Sequence, residues 1–75
     1  MDALKQVVAE TFHIAAESVP DDASNQSLPQ WDSLGHMNLI MAIEKRFGVQ
    51  FTLEEIIELR DLPAIRQTLA KKKAG

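Results

Sequence analysis

The sequence predicts an all-α fold: a small antiparallel four-helix bundle with three longer helices and a short third one. Three observations predict it. Apolar residues recur at three- and four-residue spacing in four separate segments. Helix start and stop signals flank those segments. No segment alternates long enough to form a strand. At 75 residues the chain makes a single domain, residues 1–75, near the size where one core is only marginally sufficient.

The first helix is expected from Ala3 to Ala16, with Leu4, Val7, Val8, Phe12 and Ala15 as one buried stripe. Ile14 widens that face, Thr11 lies at its edge, and His13 is a solvated or half-buried helix residue. Periodicity then stops from Glu17 to Trp31. That run is rich in turn formers, among them Pro20, Asp21, Asp22, Ser24, Asn25, Ser27 and Pro29. Leu28 stands alone there, placed to plug the core from outside, and the loop ends in a tryptophan expected to be exposed or half-buried. A loop of this length either packs by its own side chains or has a function.

The second helix starts at Asp32 or Ser33, both good N-cap residues, and runs to about Phe47. Leu39, Ile43 and Phe47 form its core stripe, with Ile40 to one side and Leu34 near its start. Gly48 is a natural stop. Met37 and Met41 lie on an adjacent face, where two readings stand level: adaptable filling of core gaps, or an adaptable contact surface. Val49, Gln50 and Phe51 alternate too briefly for a sheet, so their apolar members tuck into the bundle. Thr52 and Glu55 form a capping box that opens a short helix from Leu53 to Leu59, carrying Ile56 and Ile57. Asp61 caps the last helix, and Pro63 falls in its first turn, where a missing N–H costs nothing. Leu62, Ile65 and Leu69, with Ala70 at the edge, make its stripe. Lys71, Lys72 and Lys73 end that helix, where cations are favourable, and fray into a flexible tail from about residue 71.

Composition excludes several functions. There is no cysteine, hence no disulfide, thiolate nucleophile or cysteine metal site. Two histidines without convergent acids make a poor metal site. The start of the chain has no apolar core of a signal peptide, and no apolar run could span a bilayer, so a cytoplasmic protein without membrane contact is expected. The net charge is −3, divided unevenly. Residues 1–61 carry all eleven acids and four bases, a charge of −7, and residues 62–75 carry +4. An acidic body disfavours nucleic acid and suits a partner with a basic patch, or simply keeps a small monomer soluble.

One position stands apart. Ser33 lies where the polar loop becomes a periodic helix. It is redundant as a cap if Asp32 already serves, and a phosphate ester on its hydroxyl would meet free backbone N–H groups and the helix dipole. Asp32, Ser33 and His36 lie close enough to raise a hydrolytic reading. A working triad, however, needs an acid behind the histidine, an oxyanion hole and a substrate cavity. A bundle this small has little volume for that cavity, so no catalytic residue is expected, and His36 instead shapes the surface beside Ser33.

Asp32-Ser33-Leu34, the helix Leu39–Phe47 with Gly48-Val49 after it, Phe51–Glu55, and Asp61-Leu62 with Ile65 together resemble the acyl carrier proteins of the phosphopantetheine-binding family. The resemblance spans essentially the whole chain. It implies that Ser33, within the attachment motif Asp32-Ser33-Leu34, carries a 4′-phosphopantetheine arm taken from coenzyme A. The arm's thiol would hold acyl or aminoacyl groups as thioesters. The implied role is that of a carrier and not an enzyme: the cofactor supplies the reactive atom, and the protein supplies attachment and recognition. The implied partners are a phosphopantetheinyl transferase, an acyl or aminoacyl ligase or adenylating enzyme, and a synthase or acyltransferase.

Departures from the family pattern are informative. Fatty-acid carriers have a strongly acidic second helix. Here the corresponding places hold Gly35, Asn38, Lys45 and Arg46, and only Glu44 is retained. Trp31, Gly35 and His36 look more like carriers of polyketide, nonribosomal peptide or other specialised acyl transfer than of fatty acid biosynthesis. Gly35 would permit close approach of a partner or of the arm, or is merely tolerated. The candidate docking residues are Trp31, Gly35, His36, Met37 and Met41, with the acids Glu54, Glu55 and Glu58. An apolar cargo held inside the bundle would be lined by Leu28, Met41, Phe47 and Ile57, whereas a polar cargo would stay on a solvated arm. Two alternatives remain: a fatty-acid carrier, and a helical interaction module without an arm.

Overall fold

The computed structural model describes residues 3–74, with side chains through Lys72. Four helices follow one another: α1 (Ala3–Phe12), α2 (Ser33–Phe47), the short α3 (Leu53–Glu58) and α4 (Leu62–Ala74). A 3₁₀ turn at Ala16–Ser18 lies between the first two. The described residues contain no strand, only an isolated bridge between Ser24 and Asp61. The all-α bundle expected from the periodicity is the fold observed.

The core follows the predicted stripes. Leu4, Val7, Val8 and Phe12 of α1 meet Leu39, Ile40 and Ile43 of α2 and Leu62, Ile65 and Leu69 of α4. Phe51 and Leu59, from the segments flanking α3, are buried with them. Phe47 and Val49 pack half-buried against this cluster.

Helix α1 is shorter than its pattern suggests. His13 adopts a left-handed conformation with φ of 59°, which histidine tolerates better than most residues. The N–H of Ile14 then donates to the carbonyl of Ala9 at 3.0 Å and closes the helix end. Ile14 packs partly buried on the core, while Ala15 continues no stripe and is exposed.

The long loop is structured. Val19 and Ala23 are buried, and Leu28 packs half-buried on the core, as its isolation suggested. The Ala23 carbonyl accepts from Leu62 N–H at 2.9 Å, and Asn25 N–H donates to the Arg60 carbonyl at 3.1 Å. These bonds stitch the loop to the α3–α4 junction. Ser24 and Ser27 satisfy one another's backbone N–H groups within it.

Trp31 corrects the sequence reading. It is 2% exposed, and its ring packs against Phe12 with centroids 6.0 Å apart. The end of the loop therefore turns inward and contributes one of the largest core side chains. Met37 and Met41, 44% and 60% exposed, do not fill core gaps, and Leu34 at 72% is not part of the stripe. Met37 instead faces an open groove that Leu53, Ile56 and Ile57 of α3 line with it, while Leu34 and Met41 stay exposed.

Helix ends match their signals. Gly48 is left-handed at φ 66°, and its N–H and that of Val49 both donate to the Glu44 carbonyl. Thr52 Oγ1 accepts from Glu55 N–H at 3.1 Å while Glu55 Oε1 accepts from Thr52 N–H at 2.9 Å, completing the capping box. Asp61 Oδ1 accepts from Ala64 N–H at 2.8 Å at the start of α4. Ala70 is exposed and lies outside the stripe. Where the sequence suggests a fraying tail, α4 continues through Lys71 and Lys72, and Lys72 Nζ lies 2.8 Å from Glu55 Oε1. The Lys73 side chain and Gly75 lie outside the described residues.

Candidate functional site

The start of α2 separates the roles of two adjacent residues. Asp32 has extended backbone, and its Oδ1 accepts the Gly35 N–H at 2.7 Å. Asp32 is thus the N-cap, and Ser33 is the first helical residue. Ser33 is exposed and its hydroxyl makes no hydrogen bond among the described residues. The capping task that would explain a serine here is already filled.

Gly35, expected at a docking surface, is buried. A Cβ at this position would lie 2.1 Å from the Gln30 carbonyl oxygen, 3.1 Å from Phe12 Cε1 and 3.2 Å from Asp32 Oδ1. The close approach that requires glycine comes from the chain's own loop. A partner or an arm is not needed to explain it.

The loop and the helix meet through a chain of hydrogen bonds. Trp31 Nε1–H donates to His36 Nδ1 at 2.8 Å, with the two rings stacked at 17°. His36 Nε2 lies 2.7 Å from the Ile56 carbonyl. Indole nitrogen only donates and a carbonyl only accepts, so the two partners together assign the neutral imidazole with its hydrogen on Nε2. Both ring nitrogens are occupied, and neither is left to act as a base on Ser33. The hydrolytic arrangement is therefore absent from this geometry. His36 joins the loop, α2 and α3, and the buried Trp31 positions it. Neither Trp31 nor Gly35 offers surface for docking, and half-buried His36 offers little.

Of the other expected docking residues, Met37 and Met41 are exposed on α2, and Glu54 and Glu58 are exposed on α3. Glu55 is committed to Thr52 and Lys72. The Lys72 ammonium, followed by the Thr52 N–H, holds its carboxyl below the usual carboxylate range against a smaller opposing desolvation. Glu44, the single acid of α2, is also engaged, accepting from Phe51 N–H at 2.9 Å.

A groove of about 630 Å³ runs beside Ser33. Asp32, Ser33, His36 and Met37 from the start of α2 line it, with Trp31 beneath them in sequence. Leu53, Ile56 and Ile57 of α3 supply apolar surface, and Asn25 and Arg60 supply polar groups. Of the four residues expected to line a cargo site, only Ile57 reaches this groove. Leu28 and Phe47 are packed on the core instead, and Met41 lies exposed on α2. Leu53, Asn25 and Arg60 escaped the sequence reading. Leu53 carried one usable signal, since a six-residue helix cannot bury every apolar residue it holds. Nothing in local pattern marks Asn25 or Arg60, because they meet only through the loop's contact with the α3–α4 junction. Among the described residues no three His, Asp or Glu side chains converge as metal ligands. No described helix is long and apolar enough to cross a membrane.

The family description "Phosphopantetheine attachment site" matches residues 2–69. The chain belongs to the phosphopantetheine-binding acyl carrier family. It is 31% identical over 75 residues to an acyl carrier protein of Thermosynechococcus vestitus, covering all of this chain and 93% of that one. The solution structure of a holo acyl carrier protein from Geobacter metallireducens superposes with a TM-score of 0.86 at 30% identity. That match covers 97% of this chain and 84% of the other. Acyl carriers are not catalysts, and membership implies a covalent 4′-phosphopantetheine. The site fits such a group: the carrier has a solvent-facing hydroxyl without a partner among the described residues, at a helix start, beside an open groove.

Proposed function

We propose that Ser33 carries the 4′-phosphopantetheine arm, and that the protein ferries acyl or aminoacyl groups between enzymes of a specialised pathway such as polyketide or nonribosomal peptide assembly. One observation carries this reading: the Ser33 hydroxyl is exposed and unbonded while Asp32 does the capping. Attachment forms one bond, from Ser33 Oγ to phosphorus, and releases adenosine 3′,5′-bisphosphate from coenzyme A. The thiol of the arm supplies the thioester chemistry. The chain itself supplies a rigid helix start, fixed by the Asp32 cap and the Trp31–His36–Ile56 bonds, so that the arm swings from a defined point. Tethering raises effective concentration at each partner's active site.

The exposed face of α2 supports a specialised rather than a housekeeping role. It presents Leu34, Met37 and Met41 with the exposed bases Lys45 and Arg46, and its one acid is engaged by Phe51. Partners that steer by basic patches would find no acidic partner on it. Met37 and Met41 are the docking residues this face favours, with Glu54 and Glu58 of α3 as exposed acids. Phosphopantetheinyl transferase, adenylating ligase and synthase or acyltransferase are the partner classes that this chemistry requires.

Incubation with coenzyme A and a broad-specificity phosphopantetheinyl transferase should add one arm by intact mass. Ser33→Ala should take none while keeping its circular dichroism, because Asp32 still caps α2. Folded wild-type protein that stays unmodified would sink the proposal.

A further inference from the structure

We propose that Arg60 is the oxyanion-binding residue of the Ser33 groove, a reading that rests on Ser33 bearing the arm. The oxyanion is either the phosphodiester at Ser33 or a carboxylate at the far end of the cargo. Arg60 lines the same groove of about 630 Å³ as Ser33. Its backbone is fixed on both sides: its N–H donates to the Glu58 carbonyl at 2.9 Å, and its carbonyl accepts from Asn25 N–H at 3.1 Å. Its Nε–H donates to the Ile57 carbonyl at 3.3 Å, which sets the direction of the guanidinium. The two terminal amino groups of that guanidinium have no acceptor among the described residues. The neighbouring acid Asp61 is turned to Ala64 N–H instead.

Charge gives the terminal groups their task. Asp32 is the acid among the groove residues and Arg60 the permanent cation, while the His36 nitrogens are both taken up by protein. A phosphodiester on Ser33 Oγ places a second negative charge next to the Asp32 carboxylate, and like charges so close repel. A guanidinium in the same groove offsets that repulsion. Its planar fork also matches phosphate and carboxylate oxygens in pairs. Met37, Leu53 and Ile57 beside it offer apolar surface to the hydrocarbon parts of an arm or cargo, leaving the anionic group for Arg60.

The test uses four forms of the protein, each verified by intact mass: apo, holo, holo loaded with a butyryl group, and holo loaded with a succinyl group. Phosphorus-31 resonances are followed in wild type, Arg60→Met and Arg60→Lys, and the Arg60 Nε–H resonance in wild type. If the phosphodiester is the ligand, the Arg60 Nε–H resonance shifts between apo and holo, whatever the cargo. The phosphorus signal then moves towards that of a freely tumbling phosphodiester in Arg60→Met, with Arg60→Lys in between. If the cargo carboxylate is the ligand, the Arg60 shift occurs with succinyl and not with butyryl. Arg60 resonances unchanged across all four forms, with phosphorus signals equal in wild type and Arg60→Met, would overturn the proposal. Failure to form any holo protein would instead refute the arm on Ser33, and the inference with it.

Discussion

Replacing Gly35 with alanine separates helix propensity from tertiary packing, because the two predict opposite signs. In a helix, glycine to alanine stabilises by about 0.5–1 kcal/mol. At this position the new methyl group would sit 2.1 Å from the Gln30 carbonyl oxygen, with Phe12 Cε1 at 3.1 Å on another side. The carbonyl would have to retreat by more than an ångström to reach ordinary contact at 3.4 Å. Forced backbone shifts of this kind cost about 1–3 kcal/mol. Gln30 is bonded directly to Trp31, so the same retreat stretches the 2.8 Å Trp31–His36 hydrogen bond, with a net value of about 1 kcal/mol. Offsetting the propensity gain leaves a destabilisation of about 1–3 kcal/mol. For a domain of this size each kcal/mol lowers the melting temperature by about 4–8 °C. Urea unfolding followed by circular dichroism, with thermal melts alongside, reads this directly. A Gly35→Ala protein as stable as wild type, or more so, would show that the loop does not press on α2 as described.

Two further outcomes follow from the same junction and from the far side of α3. Trp31→Phe keeps a ring against Phe12 but removes the donor to His36 Nδ1, leaving a half-buried acceptor unpaired. It should cost about 1–3 kcal/mol, seen as a lower urea midpoint at unchanged slope, and an unaltered midpoint would discount the bond. Lys72→Met should raise the midpoint of Glu55 in a carboxyl NMR titration, because Lys72 is the main cause of its lowered value. A depressed folded-state value means stability that is present above the unfolded value and lost as pH falls through the folded one. The variant should lose part of that acid-side dependence, and added salt should shrink the difference, since both partners are partly solvated.

Features fixed by neighbours in sequence were legible in advance. The Thr52–Glu55 capping box, the Asp61 cap and the Gly48 stop each depend on groups within a few residues, and each formed as read. The apolar stripes of α2 and α4 likewise follow from helical period. Properties set by contacts between distant segments were not legible. Trp31 sits in a polar loop, and nothing local says that the loop folds back over Phe12. Gly35 looks like a weak point in a first turn until Gln30 is seen against it. Met37 and Met41 were undecidable because their exposure depends on where a six-residue helix lies. At the candidate site, Ser33 stood out by its redundancy with Asp32, whereas Arg60 became visible only once the loop brought Asn25 to its backbone.

The position of Trp31 has an experimental consequence. It is the only tryptophan, and the chain has no tyrosine. Near-ultraviolet emission therefore arises from one indole, two residues from Ser33 and hydrogen-bonded to the ring that holds α3. Any event that loosens the meeting of loop, α2 and α3 should change the colour and intensity of that emission. Arm attachment, cargo loading and partner encounter could thus be timed by stopped flow on unlabelled protein.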